Sequence, residues 1–170
     1  AISRGTYDVE SVSETISPSM DIQIASNFER LIYDLKDHND EKTIEAMKNI
    51  KEKGKYIIDK ESLDKININF LSSSMNESEI LETIKTVYEK FNIVLDPHSS
   101  IGYGAFDKVH LDGNNVVLAT AHPCKFPDAI EKAISLKAEL PNELAFVLDE
   151  KENYDIIENN LAKIKKHIKE

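Results

Sequence analysis

Apolar residues recur at helical spacing along most of the chain, and this pattern predicts more helices than strands. Such spacing is found in segments that begin near Ser26, Glu41, Asn76, Pro97, Pro127 and Asn160. Shorter helices are expected after Asp59 and Pro141, where a capping residue or a proline precedes polar sequence. The pattern therefore predicts a helix-rich chain.

Strand patterns occur at only three places. Residues 66–70 alternate apolar and polar side chains, and residues 154–157 suit a short edge strand. Residues 116–119 (Val-Val-Leu-Ala) follow a turn signal and predict a buried strand with Thr120 at its carboxyl end. Helices separate these strands, which is an α/β pattern with few strands. No linker divides the chain, so a single unit over residues 1–170 is expected.

Several predicted helices begin with capping residues. Ser26 and Glu29 have the spacing of a capping box. Asp40 is the expected N-cap of the second helix, which Gly54 would end in a left-handed conformation. Asp96 precedes a proline, the combination of an N-cap with proline at the first helical position.

Composition and charge narrow the classes of function. The chain has 170 residues, of which 41% are hydrophobic and 31% charged, as in globular rather than disordered proteins. A formal net charge of −10 argues against a nucleic-acid partner, which demands a basic patch. No apolar run approaches the roughly 18 residues of a membrane-spanning helix, so no membrane partner is expected. The single Cys cannot form an internal disulfide, which indicates a reducing compartment such as the cytoplasm.

The densest candidate site is residues 120–126 (Thr-Ala-His-Pro-Cys-Lys-Phe), directly after the predicted buried strand. Ligands of open α/β sheets gather at the carboxyl ends of strands. Thr120, His122 and Lys125 would place a hydroxyl, an imidazole and an ammonium group there. A turn whose polar groups only satisfy the backbone is the alternative.

Metal and nucleophile chemistry fit this segment poorly. One Cys and scattered His residues do not supply the four ligands of a structural zinc site, so no metal is expected. Cys124 could act as a nucleophile with a histidine base, but a lone Cys is more often a small apolar filler.

Two helix starts are further candidates. Residues 17–21 with 26–30, and residues 96–100, combine hydroxyl, amide and imidazole groups with free backbone N–H groups. Such helix ends can bind phosphate or carboxylate groups, although an ordinary N-cap is the default explanation of each one.

Together these segments resemble the carboxyl-terminal half of the threonine synthases, in the same order and spacing. The resemblance covers essentially the whole chain, and its motifs are residues 3–7, 17–23, 26–30, 96–98 and 120–126. Cys124 departs from the pattern, because the family usually has Ala there. The Ser-Pro-Ser-Met-Asp and Thr-Ala-His-Pro-x-Lys-Phe segments are specific in combination.

The resemblance implies a fold, a reaction and a cofactor. The fold would be the carboxyl-terminal part of a tryptophan-synthase-β-like (fold type II) pyridoxal-phosphate enzyme. The reaction would be that of a carbon-oxygen lyase acting on phosphate, which converts O-phosphohomoserine and water into threonine and phosphate. The Schiff-base lysine and the Gly-rich phosphate loop would lie in the amino-terminal half, and the five Gly residues here are scattered. This chain is therefore expected to be a fragment that, isolated, is inactive and binds no cofactor tightly.

The resemblance also suggests roles for individual residues. Thr120 falls where the family places a hydroxyl against the pyridine nitrogen of the cofactor. Asn27, Arg30, His122 and Lys125 match motif positions and are assigned to the substrate side, and no catalytic residue is assigned within this chain.

Two other interpretations remain. One is a stand-alone binding or interaction module with the same fold and no catalysis. The other is a different pyridoxal-phosphate lyase or deaminase, which the Ser-Pro-Ser-Met-Asp segment disfavours.

A carboxyl-terminal half should also expose apolar surface near Thr120, where the missing half packs.

Overall fold

The computed structural model describes residues 2–169, which are mainly helical as predicted. In that range the α-helices are α1 (Ser26–Leu35), α2 (Asp40–Lys53), α3 (Lys60–Asn69), α4 (Glu77–Phe91), α5 (Pro97–Val109), α6 (Pro127–Ile134) and α7 (Leu161–Lys169). The strands are β1 (Thr6–Asp8) and β2 (Lys55–Ile57), and the 3-10 helices are Pro18–Met20, Pro123–Lys125 and Asn142–Leu148. The chain divides into two compact units, the first ending at Ala138 and the second beginning at Glu139.

The first helices pack on the small sheet near the start of the chain. β1 and β2 are antiparallel, with Tyr7 opposite Tyr56. Ile32 of α1 and Ile50 of α2 are buried in the adjoining core, on which Tyr7 and Tyr56 pack. These contacts tie the N-terminal strand to α1 and α2.

Two of the predicted helix starts differ from the structure. α1 begins after Ala25 without a side-chain cap, so the capping box predicted at Ser26 is wrong. α2 begins one residue early, because the Asn39 side chain accepts the backbone N–H of Lys42 and takes the role predicted for Asp40. The end of α2 is as predicted, with Gly54 at φ 66°.

A second core supports the region that carries the motifs. Ile80 and Ile84 of α4 are buried with Ile130 of α6. The predicted start of α4 is confirmed by a complete capping box between Asn76 and Glu79. This core holds α5 and α6 against α4. Residues 110–126 connect α5 to α6.

The three predicted strands are wrong. Residues 66–70 lie almost wholly in α3, where Ile66 is buried, because an Asp59 cap starts a helix that continues through the short alternation. Residues 116–119 and 154–157 form no strand, and Val116 is 86% exposed. A strand needs a neighbour for its backbone N–H and C=O groups. Within residues 2–169, strand-to-strand backbone hydrogen bonds form only between β1 and β2.

The end of the chain is helical as predicted, but its apolar side chains are not buried. α7 follows Asn160, which accepts the backbone N–H groups of Ala162 and Lys163. Leu161 and Ile168 are largely exposed. The apolar residues at helical spacing in this segment therefore form no buried face in the described part of the chain.

Candidate functional site

A groove with a volume of ≈ 640 Å³ lies beside α5. The segments that form its wall are the 3-10 helix Pro18–Met20, the start and middle of α5, residues 111–121 and the 3-10 helix Pro123–Lys125. Its lining includes Ser19, His98, Gly102, Thr120, Lys125 and Phe126. Three segments that were singled out in the sequence therefore meet at one groove.

The start of α5 is organised by the Asp96 carboxylate, which has 0% exposure. One oxygen accepts the backbone N–H of His98 at 2.9 Å, and the other accepts that of Ser99 at 3.3 Å. The same carboxylate also lies 3.0 Å from Nδ1 of His98 and accepts the Ser99 hydroxyl. The predicted N-cap is confirmed, and it binds two side chains as well.

His98 connects this helix start to the first 3-10 helix. Its side chain is 7% exposed, and its Nε2 accepts the backbone N–H of Ser19 at 3.2 Å. Because Nε2 is an acceptor and Nδ1 faces a carboxylate, these hydrogen bonds place the ring proton on Nδ1. The ring also packs on Phe126, with centroids 4.8 Å apart. His98 thus contacts both segments that flank α5 in the groove.

Thr120 is held from the same helix start. Its backbone N–H donates to Oγ of Ser99 at 2.9 Å, and its own Oγ1 lies 3.4 Å from that atom. The residue is exposed and lines the groove. Its hydroxyl can therefore donate to a bound group, while its backbone is fixed.

The other polar residues of this motif are exposed. His122 caps the second 3-10 helix, with Nδ1 accepting the backbone N–H of Cys124 at 3.2 Å. Lys125 is exposed and lines the groove together with Thr120. The structure thus brings Lys125 to the same groove as Thr120 and gives His122 a local capping role.

Asn27 and Arg30 lie elsewhere, on α1. Arg30 lines a separate cavity of ≈ 510 Å³ between α1 and α2, together with Glu29 and Tyr33. Asn27 is exposed on the same helix. The structure does not bring Arg30 to the groove of Thr120, and a substrate-side role for Asn27 and Arg30 stays a prediction.

Asp96, His98 and Ser99 belong to a candidate segment of the sequence, but the sequence assigned no individual role to His98 or Ser99 and only a capping role to Asp96. Their local signal was visible, because an Asp-Pro pair marks a helix start. Their functional partners were not visible: Ser19 lies 79 residues from His98, and Thr120 lies 21 residues from Ser99. From the sequence, an ordinary N-cap was the default explanation of residues 96–100.

Neither a membrane span nor a metal cluster is found in the described part of the chain. No helix within residues 2–169 has the length and apolar character needed to cross a bilayer. In the same range, no three His, Cys, Asp or Glu side chains are grouped so that they could hold a metal ion.

The architecture is that of the helix-rich carboxyl-terminal part of a fold type II pyridoxal-phosphate enzyme. The crystal structure of pyridoxal-phosphate-bound threonine synthase from Brucella melitensis matches with a TM-score of 0.83 and 35% identity, over 98% of this chain and 36% of that chain. Yeast threonine synthase matches with a TM-score of 0.77 and 31% identity, over 99% of this chain and 38% of that one. The predicted fold class is confirmed.

Sequence comparison finds similarity to the same group of proteins. A family model described as "Threonine synthase, C-terminal" matches residues 99–168. The threonine synthase of Pseudomonas aeruginosa is 36% identical over 166 residues, which cover 96% of this chain and 35% of that protein. That of Saccharomyces cerevisiae is 35% identical over 150 residues, which cover 77% of this chain and 29% of that protein. The chain thus resembles the carboxyl-terminal portion of threonine synthases, as predicted, and spans about a third of the length of these relatives.

Proposed function

We propose that this chain is the carboxyl-terminal part of a threonine synthase, and that its groove forms one side of the cofactor pocket. The full enzyme would convert O-phosphohomoserine and water into threonine and phosphate. The observation that carries the proposal is the Thr120 hydroxyl, which lies at the groove while Ser99 holds its backbone. The similarity to threonine synthases over nearly the whole chain supports the reaction.

The residues of the groove fit the pyridine end of pyridoxal phosphate. A flat aromatic ring needs apolar walls, which Val117 and Phe126 provide, and one well-placed polar group, which Thr120 provides. A neutral hydroxyl can donate to an unprotonated ring nitrogen, whereas a carboxylate at that place would favour the protonated form. When bound, the cofactor would supply an electron sink for carbanions at the α and β carbons of the substrate.

Thr120 would bind and orient the cofactor ring through its hydroxyl. Lys125 is exposed at the same groove, and its ammonium group would attract an anionic substrate. His122 has its Nδ1 occupied by a backbone N–H, which leaves Nε2 as the ring donor, and its place on the substrate side is a proposal that rests on the family motif. For Asn27 and Arg30 we keep the substrate side as a proposal that rests on the family motif alone.

An amino-terminal part of the same enzyme is the proposed partner of this chain. Val116 and Leu118 are 86% and 75% exposed beside Thr120, as expected of surface that another part of a protein covers. By family resemblance, that part would also supply the Schiff-base lysine and the phosphate cradle. The isolated chain would then be inactive and bind pyridoxal phosphate weakly. The single Cys supports the cytoplasm as the place of the enzyme.

The experiment that tests this proposal compares two polypeptides in one assay of phosphate release from O-phosphohomoserine. The native polypeptide, with its length established by mass spectrometry, should release phosphate when pyridoxal phosphate is present. The 170-residue chain should not. Phosphate release by the 170-residue chain alone would overturn the fragment interpretation. A native polypeptide that starts at Ala1 and is inactive would favour the stand-alone binding module.

A further inference from the structure

The Asp96 carboxylate has more hydrogen bonds than a helix cap requires. An N-cap needs to accept only one or two backbone N–H groups, and Asn caps a helix about as well as Asp does. Asp96 is fully buried, and burying a carboxylate is costly unless donors surround it. Two backbone N–H groups, Nδ1 of His98 and the Ser99 hydroxyl provide four such donors. An Asn side chain could not accept from all four, because it has one oxygen and its amide nitrogen is itself a donor.

Two chains of hydrogen bonds, called arms below, lead from the Asp96 carboxylate to residues that line the groove. In the first arm, Ser99 donates its hydroxyl proton to Asp96, so its oxygen lone pairs face Thr120 and accept the backbone N–H of that residue at 2.9 Å. In the second arm, His98 turns Nδ1 towards Asp96 and accepts the backbone N–H of Ser19 with Nε2. Ser19 and Thr120 both line the groove, so one buried carboxylate sets the position of two of its walls.

The first arm matters most because, within this chain, little else orders the backbone at Thr120. Residues 116–121 belong to no helix or strand, and the side chains of Val116 and Leu118 are largely exposed. A hydroxyl that must meet one ring nitrogen needs its backbone fixed, since displacement by about 1 Å from the productive geometry is costly in rate. The bond from Thr120 to Ser99 provides that restraint.

We infer that Ser99 and Asp96 are positioning residues that hold the Thr120 hydroxyl against the cofactor ring. This inference rests on the proposed function of Thr120. Neither residue needs to touch substrate or cofactor. Asp96 orients Ser99, and Ser99 orients the backbone of Thr120.

The test uses the full-length enzyme with Ser99→Ala and the matched control Ser100→Ala. Both serines are buried in the first turn of α5, but Ser100 donates only to the backbone carbonyl of Asp96. Ser99→Ala should lower kcat roughly 3- to 10-fold, the equivalent of one net hydrogen bond, while Ser100→Ala should stay within about 2-fold of the parent. The absorbance of bound pyridoxal phosphate should shift in the same direction for Ser99→Ala as for Thr120→Val. Equal effects of the two serine variants on kcat and absorbance would overturn the inference.

A double-mutant cycle separates positioning from general damage to the fold. In a Thr120→Val background there is no hydroxyl to position, so Ser99→Ala should lower kcat little further. The decrease in Tm caused by Ser99→Ala should persist in that background, because the hydrogen bond from the Thr120 backbone N–H to Ser99 is still removed. Additive losses in kcat would contradict a positioning role.

Asp96→Asn provides a second variant that keeps the helix cap. It should lower kcat and shift the absorbance in the same way as Ser99→Ala when the amide group replaces the oxygen that faces Ser99, because one backbone N–H and the Ser99 hydroxyl then lose their acceptor. If Thr120→Val lowers kcat but Ser99→Ala and Asp96→Asn do not, only this inference fails. If Thr120→Val leaves kcat unchanged, the proposed role of Thr120 fails, and the positioning role fails with it.

Discussion

Nε2 of His98 accepts the backbone N–H of Ser19 at 3.2 Å, across 79 residues of sequence. This one bond joins the Ser-Pro-Ser-Met-Asp segment to the start of α5. The His98 ring packs at the same time on Phe126, the last residue of the Thr-Ala-His-Pro-Cys-Lys-Phe segment. Three motifs that are far apart in the chain therefore meet around a single buried imidazole.

The ion pair between Lys36 and Asp59 should make stability depend on pH. The hydrogen bond from Lys36, together with the backbone N–H of Ser62, holds the pKa of the Asp59 carboxyl well below its ordinary value. A carboxyl whose pKa is lowered by folding stabilises the protein above its unfolded pKa of about 4, and that contribution is lost as pH falls through the folded pKa. Asp59 is 49% exposed in its side chain, so the ion pair should contribute only about 0.5–1 kcal/mol.

Two variants at Asp59 separate the charge from the cap. Asp59→Asn should keep the N-cap of α3 but lose the ion pair. The free energy of unfolding should then decrease less as the pH is lowered. Asp59→Ala should lose a further ~1 kcal/mol at pH 7 because the cap is also removed. Urea unfolding at several pH values measures both effects. An acid slope unchanged in Asp59→Asn would show that the ion pair contributes nothing.

The core beneath α5 should be sensitive to loss of volume at Ile84. This side chain is 0% exposed and packs with Ile80 and Ile130. Ile84→Ala should reduce the free energy of unfolding by about 2–5 kcal/mol, and Ile84→Val by about 0.5–1.5 kcal/mol, since each leaves a cavity of different size. Equal losses in the two variants, measured by urea unfolding, would contradict this packing.

Gly54 should be required for its conformation rather than for its small size. Its φ is 66°, and a Cβ added there would meet only Val9 at 4.0 Å. Gly54→Ala should therefore cost about 1–2 kcal/mol through backbone strain alone, and Gly54→Asn should cost less because Asn tolerates this region. Thermal unfolding checks the order of the two variants. An Ala variant as stable as the parent would show that α2 can end differently.

The apolar residues beside Thr120 should bind a hydrophobic dye in the isolated chain. Val116 and Leu118 are the most exposed apolar residues of that segment. Replacing both with Ser should reduce dye fluorescence and self-association, because exposed apolar surface is removed. Size-exclusion chromatography with dye binding measures this. An unchanged dye signal in the double variant would place the responsible surface elsewhere.

Most helix ends were predicted from local sequence, although the capping box at Ser26 and the N-cap at Asp40 were not correct. The start of α4 at Asn76, the Asp96-Pro97 helix start and the Gly54 stop act within a few residues, and the structure has all three. Residues 66–70 failed because five alternating positions are too few to overrule a capped helix. Residues 116–119 failed because a strand depends on a partner, which apolar composition alone does not supply.

The candidate site was predictable in part. Thr120 and Lys125 were assigned from one motif, and both line the groove. Arg30 was grouped with them by family motif, yet it lines a cavity on α1 and α2. The hydrogen bonds of Ser99 and His98 could not be predicted, because they depend on how distant segments pack.

The central claim is that the Thr120 hydroxyl serves the ring nitrogen of the cofactor, and Thr120→Val in the full-length enzyme tests it most directly. Valine nearly preserves the volume and removes the hydroxyl, whereas the control Thr120→Ser keeps the hydroxyl. Cofactor should still bind to the Val variant, and kcat should fall by roughly 5- to 150-fold, the equivalent of about 1–3 kcal/mol for one lost hydrogen bond. The Ser variant should retain most of the activity. Unchanged turnover in Thr120→Val would contradict the account and remove Thr120 from the site.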